Sequence, residues 1–205
     1  MNIQAFYDMF TVSGEYYANA LADCELQKSP PCDECGRDSY IPIASPFGYS
    51  IEGLRLGDVM TLWYGYYLVS EKVRRLFEEN NVTGVTFHTD VKCIDWHDRK
   101  RKKVDKPFPE YVYMTIDSRC GEVLLSNGKR LPRCKKCGMI SNINALEVKT
   151  AFNIDCWDGS DIFAYDGSCV AMCTERVKNI AEKNKLKNFA FRRVRSTSKF
   201  KNEKS

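Results

Sequence analysis

Two five-residue stretches, CDECG at 32–36 and CKKCG at 134–138, carry the residues of this chain best suited to chemistry. A CxxC turn brings two thiols close enough to hold one cation. The glycine after it can take a positive φ, which turns backbone N–H groups toward the sulfurs. One such pair leaves a cation half ligated, whereas two pairs supply the four thiolates of a tetrahedral site with Zn–S near 2.3 Å. Cys32, Cys35, Cys134 and Cys137 are therefore expected to ligate one structural zinc ion, each knuckle giving half of the coordination sphere. Four thiolates around Zn²⁺ leave a charge of about −2. Arg37, Arg133, Lys135 and Lys136 stand where they can offset it, and Asp33 and Glu34 are expected to face solvent.

Two other chemistries compete for the same residues. A redox CxxC sits between a strand and a helix N-terminus and needs no second copy. Knuckles without a metal would persist as buried thiols. The remaining cysteines, Cys24, Cys93, Cys120, Cys156, Cys169 and Cys173, have no ligand spacing and read as small apolar residues.

The elements that must position the knuckles show an internal repeat. VSEKVRRLFEENNVTGVTF (69–87) aligns without a gap on CTERVKNIAEKNKLKNFAF (173–191), an offset of 104 residues against 102 for the knuckles. Ser70 and Thr174 suit an N-cap, and Glu71 and Glu175 follow in the first turn, where the helix dipole favours negative charge. Val73, Leu76 and Phe77 share one helical face, as do Val177, Ile180 and Ala181. Asn80 or Asn81, and Asn184, can close each helix in a left-handed conformation, and a strand begins at GVTF and NFAF. The expected fold is α+β: a single domain over 1–194 made of two similar strand–helix–strand halves (about 24–96 and 128–194) joined by the four-Cys site. Residues 195–205 are expected to form a flexible basic tail.

Strands are also expected at 61–69 and 111–117, and a hairpin over 161–172 turning at Asp166–Gly167. Residues 97–110 read as a charged loop closed by two prolines. The segment DCWDGSDIF (155–163) reads as a glycine-centred turn with Trp157 on the core. Its Asp155, Asp158 and Asp161 lack the alternation and distal Glu of a calcium loop.

Composition narrows the function classes. The chain has 205 residues, 43% of them hydrophobic, with a net charge of +4 concentrated in RKRKK (99–103) and the C-terminal tail. Neither run is basic enough to define a nucleic-acid protein. No stretch approaches the roughly 18 apolar residues of a membrane span, and the first residues lack the pattern of a signal peptide, so a cytoplasmic location is expected. His88 and His97 have no nucleophile motif beside them, and P-loop, GxGxxG and GxSxG motifs are missing, so no enzyme activity is expected.

The order of two distant CxxCG knuckles, WDGSDIF, CTERV and LKNFAFRRV resembles the bacterial double-CXXCG motif family, regarded as immunity proteins of polymorphic toxin systems. The likeness is best over 107–194 and around 32–36. Asp33 stands where a proline is common in the family, and the charged loop at 97–106 is particular to this chain. The resemblance implies a protein that binds a cognate toxin and blocks its active surface, without catalysis, while zinc holds the fold. The toxin's identity and the oligomeric state do not follow. The alternative from another class is a zinc-ribbon protein that binds nucleic acid through RKRKK and the basic tail, with affinity falling steeply in salt.

Overall fold

The two aligned segments each fold as a strand, a nine-residue helix, a turn and a strand. In the first, Ser70 Oγ accepts a hydrogen bond from Val73 N (3.4 Å), and Val73 and Phe77, four apart on one face, are buried. The helix ends because Asn81 turns left-handed (φ 49°), so that Asn81 N reaches Glu78 O and Val82 N reaches Phe77 O. This is a Schellman closure, and it satisfies carbonyls the helix leaves open. Lys185 (φ 51°) does the same in the second segment, with Leu186 N donating to Ala181 O. Thr174 occupies the second N-cap without a side-chain cap bond; its hydroxyl donates instead to Asp161 Oδ1.

The computed structural model describes residues 5–11, 17–23, 26–29, 31–36, 39–42, 46–63, 66–118, 123–125, 129–138, 150–164, 171–194 and 196–197. Strands dominate. Before helix α1 (Glu71–Glu79) come β1 (Phe6–Thr11), β2 (Asn19–Asp23), β3 (Leu26–Ser29), β4 (Ser39–Pro42), β5 (Phe47–Glu52), β6 (Val59–Trp63) and β7 (Tyr66–Ser70). Between the helices run β8 (Val85–His88), β9 (Val91–His97), β10 (Tyr111–Ile116), β11 (Val123–Leu125), β12 (Thr150–Asn153), β13 (Ile162–Ala164) and β14 (Ala171–Thr174). Helix α2 (Glu175–Lys183) leads to β15 (Phe189–Val194) and β16 (Ser196–Thr197).

The strands form two four-stranded sheets, β6-β7-β10-β8 and β13-β14-β1-β15, antiparallel throughout. Two three-stranded sheets, β2-β5-β9 and β11-β12-β16, each pair one neighbour antiparallel and the other parallel. The strand expected over 61–69 is two strands, β6 and β7, that meet antiparallel. The hairpin of β13 and β14 forms, while its turn at Asp166–Gly167 lies outside the described residues. Within the expected tail, Ser196 and Thr197 pair with Phe152 and Asn153; residues 195 and 198–205 lie outside the described residues.

Side chains alternate across each strand, so a strand covered on both faces feeds two cores. On β10, Val112 and Met114 enter a central core shared by both helices and both four-stranded sheets, together with Val69, Phe77, Met9 and Val177. Tyr111 and Tyr113 enter a second core against the sheet of β2, β5 and β9, with Tyr49, Ile51 and Trp96. On the far side, Phe6, Phe152, Phe163 and Met172 form a third, smaller core. Among the described residues, no helix is long and apolar enough to cross a membrane.

Candidate metal centre

The first knuckle lies between the paired strands β3 and β4, whose last described pair is Ser29 with Ser39. The second follows Leu131, which is buried, and a bridge between Leu124 and Arg130. Both knuckles turn the same way. Gly36 N donates to Cys32 O (2.6 Å) and Gly138 N to Cys134 O (3.0 Å), with φ of 67° and 72° at the two glycines. A residue with a Cβ is strained at that angle, which accounts for the glycine in both.

The knuckles face each other. Cys32 Sγ lies 3.7 Å from Cys134 Sγ, Cys35 Sγ lies 3.6 Å from Cys137 Sγ, and all four sulfurs fall within 4.8 Å of one another. A tetrahedron with Zn–S near 2.3 Å has edges of about 3.8 Å, so these two separations fit such a site, and the 4.8 Å limit on the rest allows a slightly elongated set. Cys134 is buried and Cys32 half-buried, whereas Cys35 and Cys137 are exposed. The cluster is thus closed on one side and open to solvent on the other.

Electrostatics within the cluster are uneven. The backbone N–H groups of Cys35 and then Glu34 draw the Cys32 thiol down to about 7. Cys134 also receives N–H groups, from Cys137 and then Lys136, but burial and the neighbouring Cys137 and Cys32 thiols outweigh them and push it up to about 12. Four thiols this close cannot all ionise without a cation, and a bound cation would displace their protons. Lys136 Nζ pairs with Asp33 Oδ2 (2.5 Å), so this ion pair ties one knuckle to the other, while Arg133 Nη1 donates to Gly138 O (3.1 Å). Lys135 is exposed and Arg37 lies outside the described residues. Asp33 and Glu34 are exposed, as expected.

The other residues singled out in the sequence are not gathered at this centre. His88 Nε2 lies 3.3 Å from Thr115 Oγ1 on β10, and His97 Nδ1 lies 3.3 Å from Asp95 Oδ2. Asp155 and Asp158 are exposed, Asp158 accepting from Ser118 Oγ and Ser160 N. Trp157 packs edge-on against Phe6, ring centres 5.0 Å apart. Cys93 and Cys173 are buried, but Cys156 is exposed and accepts from Asn153 Nδ2, which corrects its reading as an apolar filler. Cys24, Cys120 and Cys169 lie outside the described residues. In the basic run, Asp98 Oδ1 accepts from Lys100 N and Lys102 N (both 2.8 Å), making a tight turn that presents Arg99 to Lys103 to solvent.

Sequence reasoning passed over Asp58 and gave Asp161 no role beyond a turn. Asp58 accepts from Ser70 Oγ and Lys187 N, and Asp161 from Thr174 Oγ1 and Thr83 N, so each carboxylate ties one N-cap hydroxyl to the turn beyond the other helix. Their similar distances ahead of the caps, 12 residues before Ser70 and 13 before Thr174, could have revealed them. Neither protein-family models nor curated proteins give a match to this chain.

Proposed function

We propose that Cys32, Cys35, Cys134 and Cys137 hold one structural zinc ion, and that the chain is a binding protein that neutralises a cognate toxin by covering its active surface. The observation that carries the metal part is the convergence of four thiols, within 4.8 Å, from two knuckles 102 residues apart. Zinc suits four soft thiolates, and its binding free energy would become folding free energy. The toxin part rests on the resemblance in motif order.

In the same reading the chain consists of two related halves, about 24–96 and 128–194, with the metal at their junction. The matching helix closures and the matching strand orders of the two pairs of sheets support this. The metal is tested by elemental analysis of purified protein: one zinc per chain is expected, and none would remove the reading. The toxin is tested by co-expression with the domain encoded immediately upstream, where an equimolar complex and restored growth are expected. If neither occurs, the exposed turn at Arg99–Lys103 makes the nucleic-acid reading the next to test, by salt-dependent binding to DNA and RNA.

A further inference from the structure

We propose that the two halves are strand-exchanged: each gives its first strand to the middle of the other's four-stranded sheet, through an interface that reads the same from both sides. This rests on the two-half reading and extends each half toward its N-terminus. By position, β1 opens the first half, ahead of the first knuckle and α1. Likewise β10 opens the second half, ahead of the second knuckle and α2. Yet β1 lies between β14 and β15, and β10 lies between β7 and β8.

The register makes the two insertions equivalent. Phe6 pairs with Thr174 and Tyr111 with Ser70, in each case the residue that caps the helix. Two residues on, Asp8 pairs with Arg192 and Tyr113 with His88. The sequences agree weakly at the same offset: FYDM at 6–9 against YVYM at 111–114. A chance insertion of a strand would have no reason to keep this register, because a slip of one residue reverses every side chain.

Side chains repeat the reciprocity. Lys72 Nζ donates to Asn184 O (2.8 Å), so a cation at the start of α1 closes the end of α2; Arg176 on α2 donates to Asn80 O at the end of α1. The carboxylates Asp58 and Asp161 cross between the halves in the same paired manner. Contacts in which residue i of one unit meets j of the other, and j meets i, are the mark of a twofold, self-complementary interface. The surface of one half therefore fits a second unit of its own kind, and this chain carries both. It follows that the metal clips an interface that already holds without it.

The test uses the full chain with a specific protease site in place of residues 99–103, the exposed turn between β9 and β10. After cleavage the two pieces should run as one particle in size exclusion, before and after removal of metal by a chelator. Separation on chelation would overturn the exchange and leave the two-half reading standing. In the uncut chain, amides of residues 6–11 should exchange as slowly as those of 189–194 whether or not metal is present; their release by chelation alone would equally overturn it. Unfolding the cut protein in urea and refolding it should restore the paired particle. Native mass spectrometry then separates the two ideas: pairs of unlike pieces only would support the exchange while removing the kinship of the halves, and added pairs of like pieces would support both.

Discussion

The segments 58–88 and 161–194 share a skeleton and differ in what fills it. Both carry a carboxylate, a hairpin, an N-cap hydroxyl, a helix of equal length and a left-handed closure. After the closure the first has Gly84 (φ 87°) and the second Asn188 (φ 70°). A Cβ at Gly84 would collide with the carbonyl of Ile162, whereas Asn188 Nδ2 donates to Val59 O (2.7 Å) from a buried position. Phe77 fills the central core where the other segment has Ala181. In the outer layers, Tyr49 and Tyr111 on one side stand against Phe152 and Phe6 on the other. Backbone hydrogen bonds and turn angles are kept, while side-chain volume and polarity vary. The lesson is that strand register and helix closure carry the fold, and that packing can be solved twice.

The largest test of this comparison strikes what the two segments share. Cys134→Ser should abolish metal binding and give the largest drop in urea midpoint of these changes, while the strand pairing of β1 and β10 survives. Cys32→Ser should do the same, because either loss leaves three thiolates. Metal content and the urea midpoint of each variant check this, and retained zinc in either would break the equivalence of the knuckles. Next come the unequal cores. Phe77→Ala should cost about 3–5 kcal/mol through the cavity it leaves. The reverse change at the matching place, Ala181→Phe, should cost about 1–3 kcal/mol through overpacking. Urea unfolding measures both.

The two carboxylates differ in burial and should differ in effect. Asp161 is 8% exposed and Asp58 is half-buried. Asp161→Ala leaves Thr83 N and Thr174 Oγ1 without this acceptor and removes the carboxylate paired with Arg176, so a loss of about 2–3 kcal/mol is expected; Asp58→Ala should lose about 1–2 kcal/mol. Equal losses would show that burial is not what separates them. The smallest effect concerns the phenols. Burial raises Tyr49 and Tyr111 above the ordinary tyrosine value near 10. A raised folded-state value means that their stabilisation is whole below pH 10 and falls as pH climbs toward that value. Stability should therefore decline above about pH 10, and the double change Tyr49→Phe with Tyr111→Phe should flatten that decline. Unchanged decline in the double variant would place its origin elsewhere.

Much of the site was legible in the sequence because it is local. A CxxCG turn is defined within five residues, and its double occurrence supplies the four thiols that converge. The helices were legible for the same reason, since Ser70, Glu71, Val73 and Phe77 encode cap, dipole and buried face within two turns. The neighbours of β1 were not. Strand pairing between Phe6 and Val194 depends on contacts far apart in the chain, and periodicity within one strand carries no record of its partner. Asp161 was hidden differently. Its carboxylate reads as a turn residue beside Gly159, and only the arrival of Thr83 and Thr174 gives it a role. Lys136 was legible only as a neighbour of the sulfurs; its pairing with Asp33 depends on the other knuckle, 103 residues away in the chain.

The place of β1 also sets a timetable. Arg192, which holds Asp8 across the β1–β15 pair, lies 184 residues further along the chain. At a synthesis rate of about 5–20 residues per second, β1 waits roughly 9 to 40 seconds for the strand beside it. Throughout that interval a largely apolar strand with both edges open stands on the nascent chain, able to pair with neighbouring nascent copies on the same messenger. A chaperone that shields residues 6–11 during synthesis should raise the yield of folded protein more than one acting after release.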